Sequence, residues 1–385
     1  MAVFWILEGN WQDKWHRLRQ SKLAILFISF FLINLISFAY TVDVPAGLSI
    51  LQRLLPLLAF PLILSTIPLL DTRKVERIFA WFILSCFVAA IISLFGAFRQ
   101  YIRTGETEQF FYQQIGSFAR LEAIYFSLYT GFCIIVLVWL LFMKGQRMNK
   151  IRYAVAVLMI VAFVAVFLLL SIRTAIAGLM LLGLAGLIAY HSRRGRLLKG
   201  IALAVLLIAL AGTAIVLNPV SRQKFEEAFA FDDAIRLDGE VDQSLGRTWG
   251  GRALRVAIWQ CAWDIVREHP VTGVGLGDVQ EALQNSYRNN NFLFAADYNR
   301  YNAHNQFIET QLGAGVFGLV TLIAVFALPA FYALKHSKYL YVLFILFIWM
   351  NCLTESLFMR QKGAIFYSTF NSIFAFHCLT RRTPQ

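Results

Sequence analysis

Residues 153–190 read YAVAVLMIVAFVAVFLLLSIRTAIAGLMLLGLAGLIAY, a run in which Arg173 is the one Lys, Arg, Asp or Glu. On either side of the break at Ser171–Arg173 the apolar stretch is about 17–20 residues long, enough to cross about 30 Å of hydrocarbon at about 1.5 Å per helical residue. Two spans joined by a tight turn are therefore predicted, about Tyr153–Ile172 and Thr174–Tyr190. Arg173 then sits at that turn.

The rest of the chain repeats the pattern. Hydrophobic residues make up 59% and charged residues 15% of the 385 positions, and the mean hydropathy is +0.63. Such a chain has lipid, not water, as its main solvent. Further spans are expected at about Leu23–Tyr40, Gly47–Leu70, Ile78–Phe98, Ala123–Met143, Gly200–Leu217, Phe307–Leu334, Tyr339–Leu353 and Ala364–Leu379. The ninth span in chain order, Tyr339–Leu353, is short and can extend toward Phe358. The expected fold class is an all-α integral membrane protein of about ten transmembrane helices with one large external helical segment. It divides into an N-terminal bundle (1–217), an external segment (218–303) and C-terminal helices (304–385). Met1–Ser21 mixes Trp5, Trp11 and Trp15 with Lys14, Arg17 and Arg19. It reads as a helix lying in the bilayer interface and not as a cleavable signal peptide.

Positive charge sets the orientation, because Lys and Arg accumulate in short cytoplasmic loops. They do so here around Lys14–Lys22, Arg73–Arg77, Lys144–Arg152, Arg193–Lys199, Lys335–Lys338 and Arg381–Arg382. Both termini are expected in the cytoplasm and the long polar segment outside. That segment, Asn218 to Ala303, holds 9 Lys+Arg and 12 Asp+Glu, although the whole chain is +13. The basic excess is thus spread over thin loops on one face, which excludes a nucleic-acid groove. Of five cysteines only Cys261 falls outside, so no disulfide is expected within the external segment.

Within that segment Leu254, Ala257, Ile258, Cys261, Ala262, Ile265 and Val266 recur at helical spacing, and His269–Pro270 ends the pattern. Arg255 and Trp259 lie four residues apart on another face, where an indole can pack on and orient a guanidinium. Gly273–Asp278 (GVGLGD) is a turn that can open a short helix capped by Asp278. It lacks the spacing of a dinucleotide site. The acidic tract Asp232–Asp242 has no metal-ligand spacing and reads as a solvated loop. No metal site or cofactor is expected anywhere.

A general base must share a compartment with its substrate, which leaves His269 and His304. His269 sits at a helix end, a structural place. His304 lies in Asn302–Gln306, at the outer mouth of the eighth span, where a titratable group is costly unless used or paired. Arg173 at its outer turn calls for an anion, either a lipid phosphate or a substrate diphosphate. Arg53, in the outer part of the second span, is a weaker candidate of the same kind.

The ordered series SIRTAIAGL, Arg255–Val256–Ala257–Ile258–Trp259, HPVTGVGLGD and NAHNQFIETQLGAGVFGL resembles the O-antigen ligase and polymerase superfamily of bacterial membrane glycosyltransferases. The resemblance implies metal-independent transfer of a glycan from an undecaprenyl-diphosphate-linked donor on the periplasmic face of the bacterial inner membrane. It implies His304 as the base that activates an acceptor hydroxyl, and Arg255 and Arg173 as holders of the diphosphate. Arg252, Trp259, Asn305 and Arg53 are the expected substrate-binding residues, with Arg252 also an alternative to Arg255. The acceptor is expected to be lipid A-core for a ligase, or another lipid-linked glycan for a polymerase. A polysaccharide transporter or flippase is the reading from another class, but it calls for inverted repeats or midplane charges, and neither is visible.

Overall fold

A computed structural model describes residues 2–192, 194–217, 222 and 251–379. Among them every regular element is helical. The helices are α1 (Ala2–Leu7), α2 (Trp11–Gln20), α3 (Lys22–Phe38), α4 (Val44–Leu54), α5 (Pro56–Thr66), α6 (Thr72–Thr104), α7 (Tyr112–Phe118) and α8 (Ala123–Lys144). They continue as α9 (Lys150–Leu170), α10 (Arg173–Ser192), α11 (Leu197–Leu217), α12 (Gly251–Glu268), α13 (Val279–Asn289), α14 (Gln306–Lys335), α15 (Tyr339–Cys352) and α16 (Gln361–Ile373).

The ten apolar stretches are largely helical, the second, Gly47–Leu70, being divided between α4 and α5. Among the described residues, six helices are long and apolar enough to cross a membrane, with α4 and α5 (Val44–Thr66) taken as one, or up to seven if a bent pair counts as one span. The bent pair is α2 and α3, which meet at 93°. Ser21 makes the corner: its extended backbone ends α2, and its hydroxyl accepts from the Ala24 N–H to cap α3. The segment before the corner is helical, as its Trp, Lys and Arg pattern predicts. It is anchored where Trp5 Nε1 donates to Thr66 Oγ1 at 2.9 Å and Arg17 donates to the Thr66 carbonyl at 3.1 Å.

The chain forms two compact units. One contains α6–α11 and residues Val342–Asn351 of α15. Its centre is α8, buried almost without interruption from Ala123 to Leu137. Gly131 admits the Phe347 ring, because a Cβ there would lie 2.6 Å from that ring. Phe132 packs against Phe82 and Phe344 at 6.0 and 5.1 Å between ring centroids. Between α9 and α10, Ser171 takes a left-handed conformation, φ 54. The chain turns there, and Arg173 becomes the first residue of α10.

The other unit joins residues up to Asp71, α12–α14 and the chain from Cys352 onward. The helical face expected from Leu254 is its core: Ala257, Ile258, Cys261, Ala262 and Ile265 are buried against Val279, Leu283 and Tyr287 of α13. The HPVTGVGLGD turn then docks on α14 where that helix is broken. Gly315 has φ 62 and ψ −159 inside the helix, a conformation that only glycine adopts at little cost. The peptide groups freed by the break are taken up by the turn: Val274 N–H donates to the Leu312 carbonyl at 2.8 Å, and Val316 N–H to the Pro270 carbonyl at 3.1 Å.

Asp278 departs from expectation. It precedes α13 but makes no side-chain bond to it. Its carboxylate instead accepts from the N–H groups of Val42 and Asp43 at 2.8 and 2.7 Å and from Thr41 Oγ1 at 3.2 Å, just ahead of α4. Asp43 caps α4 itself by accepting from the Ala46 N–H at 3.0 Å, and Asp278 takes the exposed N–H groups just before that cap, so the acid serves the approach to a distant helix in preference to its own.

Candidate functional site

In the unit that holds α12–α14, polar groups gather where α14 begins. Arg300 and His304 both have positive φ, 47 and 44, so the stretch between them is bent tightly and must be held from outside. Ala303, fully buried, is gripped on both sides of its backbone: its N–H donates to Glu309 Oε2 at 3.0 Å, and its carbonyl accepts from Trp259 Nε1 at 2.9 Å. Asn302 Oδ1 accepts the His304 N–H at 3.2 Å. Asn305 caps α14, its Oδ1 accepting from Phe307 and Ile308 N–H at 2.9 and 3.2 Å.

His304 projects from this clamp. Its Nδ1 lies 3.3 Å from Glu355 Oε2, and Arg255 Nη2 donates to Glu355 Oε1 at 3.2 Å. One carboxylate therefore lies between the imidazole and the guanidinium. The His304 and Arg255 side chains keep 27% and 25% of their surface exposed, so both remain reachable from outside. The Tyr301 ring lies 5.7 Å from the His304 ring. Burial holds the Tyr301 phenol above its usual pKa, opposed by the bond it receives from Asn299.

The loop 353–360 that carries Glu355 is tied down at three points. Ser356 Oγ donates to the buried Glu309 at 3.2 Å, Phe358 N–H donates to Gln306 Oε1 at 2.7 Å, and Arg53 donates to the Met359 carbonyl at 3.3 Å. Arg53 also donates to Ser49 Oγ at 2.9 Å. The second-span arginine thus borders the loop that holds the carboxylate.

Of the residues singled out from sequence, His304, Arg255, Trp259, Asn305 and Arg53 come together in this unit. Arg173 stands in the other unit, at the N-terminus of α10, where the helix dipole and the guanidinium both favour an anion. The Arg252 side chain and the Asp232–Asp242 tract lie outside the described residues.

Glu355 and Glu309 are absent from the sequence expectations. Glu355 was legible in principle, as a carboxylate between the apolar runs ending at Leu353 and starting at Leu357. An acid at that depth is costly unless paired. Its partners, 51 and 100 residues earlier in the chain, were not legible.

Such an arrangement, a helical membrane bundle with an imidazole, a carboxylate and a guanidinium at the mouth of one long helix, defines a multi-pass membrane protein with an enzyme-like site. Residues 162–323 match the family model described as O-antigen ligase. The resemblance of this chain to the O-antigen ligase superfamily therefore holds over the stretch from α9 into α14, which includes Arg173, Arg255, Trp259 and His304. A glycosyltransferase-type membrane enzyme working on lipid-linked glycans is the class that this match supports. No curated protein matches the chain.

Proposed function

We propose that the protein is a membrane glycosyltransferase that moves a glycan from undecaprenyl diphosphate to a sugar hydroxyl of lipid A-core, as an O-antigen ligase does. It does so on the periplasmic face of the inner membrane and without a metal ion. In this reading ten spans cross the bilayer and both termini are cytoplasmic. The stretches 1–217, 218–303 and 304–385 serve as N-terminal bundle, periplasmic segment and C-terminal helices. The single observation that carries the reading is the contact between His304 Nδ1 and Glu355. A carboxylate at Nδ1 favours the tautomer with its proton there, which leaves the Nε2 lone pair as the acceptor.

His304 Nε2 takes the proton of the acceptor hydroxyl, and the freed oxygen bonds to the anomeric carbon of the donor. The anomeric C–O bond to the diphosphate breaks, and undecaprenyl diphosphate leaves with the electron pair. The proton on His304 then passes to solvent. Because the donor carries its own leaving group, the protein needs a placed base and cations more than a nucleophile. Arg255 supplies such a cation and offsets the charge that grows on the diphosphate, the role that the family resemblance also gives to Arg173. Trp259, Arg252, Asn305 and Arg53 are the substrate-binding residues of this reading.

The test is release of undecaprenyl diphosphate when purified protein is mixed with lipid-linked glycan and lipid A-core. His304→Ala is expected to abolish release at unchanged protein level, and full activity in that variant overturns the base assignment. Restoration of capped lipopolysaccharide in a ligase-deficient strain supports the lipid A-core acceptor. Longer chains on the carrier lipid alone replace it with a lipid-linked one.

A further inference from the structure

Glu355 divides its two oxygens between the proposed base and a proposed diphosphate ligand: Oε2 faces His304 Nδ1 at 3.3 Å, and Oε1 faces Arg255 Nη2 at 3.2 Å. The carboxylate cannot easily leave this place. Its neighbours Ser356, Phe358 and Met359 are bonded to Glu309, Gln306 and Arg53. The contact with Arg255 involves one nitrogen of a planar group that carries five N–H donors, a fork well matched to phosphate oxygens.

We propose that Glu355 is a positioning residue that couples donor binding to the base: a diphosphate engaging Arg255 draws the guanidinium off Glu355, whose carboxylate then acts on His304 alone. The inference rests on His304 as the base. In the empty site the Arg255 cation competes with the imidazole for one negative charge. With the donor in place, the diphosphate supplies the counter-charge to Arg255, and Glu355 is left to orient His304 and to stabilise the imidazolium formed when the acceptor hydroxyl gives up its proton. The base becomes strongest when there is a donor to attack. Among the described residues, the titratable and charged groups around His304 are Glu355 after α15, Arg255 on α12, Glu309 on α14 and Tyr301 on its own loop. Glu355 touches both the base and the cation.

The experiment compares pH profiles of kcat and kcat/KM, with undecaprenyl diphosphate release as the readout and the lipid-linked glycan pool extracted from the source cells as donor. The acid limb of kcat/KM reports the base in the free enzyme, and that of kcat reports it in the donor complex. In the native protein the kcat limb is expected at higher pH than the kcat/KM limb. Glu355→Gln keeps the shape and removes the charge. It is expected to lower kcat about 10–100-fold with KM changed less than about threefold, to move both limbs to lower pH and to narrow the gap between them. Native kcat and native limbs in Glu355→Gln overturn the coupling. Glu355→Asp, which keeps the charge, is expected to keep the gap while losing about tenfold in kcat. If Glu355→Gln fails to fold, coincident limbs in the native protein and in Glu355→Asp overturn the proposal. A fully active His304→Ala would instead remove the base assignment itself, so the two failures are distinguishable.

Discussion

The indole N–H of Trp259 donates to the carbonyl of Ala303 across 2.9 Å, so the helix that carries Arg255 also holds the peptide immediately before His304. The Ala303 N–H is taken by Glu309. With both sides of one residue fixed by two different helices, the left-handed His304 that follows has little freedom. A non-glycine residue in that conformation costs on the order of 1 kcal/mol and persists where its surroundings demand it.

Trp259→Phe keeps most of the ring and removes the donor, which leaves a buried carbonyl unsatisfied at a cost of about 1–3 kcal/mol. The unfolding midpoint in detergent is expected to fall, and glycan transfer to drop about tenfold as the His304 loop loosens. Thermal unfolding and turnover measured on the same preparation check this. An unchanged turnover would dissociate the indole bond from the placing of the proposed base.

Gly315→Ala should be far more damaging than an ordinary helix substitution. The residue has φ 62, and a Cβ there would meet the Val271 carbonyl, part of the backbone that docks on the break. Strain and steric conflict together are expected to cost more than about 3 kcal/mol, seen as lost folded yield in size-exclusion chromatography. Gly186→Ala, at a place with nothing within 4 Å of the added carbon, serves as the control and should behave as native.

Asp278→Ala removes the acceptor for the Val42 and Asp43 N–H groups and the Thr41 hydroxyl. A loss of about 1–3 kcal/mol is expected, in the range of a lost cap with charge-assisted bonds. Asp278→Asn keeps one acceptor oxygen and should lose less. Denaturation midpoints of the two variants, ranked against native, decide the matter.

Cys261 is buried on the core face of α12, and its thiol is pushed up to about 11, mainly by burial, with Asp264 adding to the effect. Maleimide labelling at pH 8 is therefore expected to be slow until the protein unfolds. Above the ordinary thiol value of 9.0 the unfolded chain releases this proton while the folded chain keeps it. Stability should accordingly decline as pH rises from about 9 to 11. Cys261→Ala is expected to remove that part of the slope.

The helical content, the ten apolar segments and the buried face of α12 follow from local patterns. Hydrophobic periodicity reports how one segment meets its solvent, and that needs no knowledge of any other segment. The same logic located His304 at the mouth of α14, because a titratable group at the end of a long apolar run stands out against its neighbours. Asp278 shows where such reasoning stops. Its position before a helix predicts a local cap, yet its acceptors serve residues 235–237 positions earlier, which only the packed chain brings beside it.

Composition and periodicity thus determined by themselves that this chain is a helical membrane protein with a long polar insertion and a histidine at a helix mouth. The tertiary structure alone decided that Glu355 stands between His304 and Arg255, and that the glycine turn fills the break at Gly315. The reason is physical. Burial preferences act residue by residue along the chain, whereas an ion pair or a backbone dock exists only once helices far apart in sequence have packed and left particular donors facing particular acceptors.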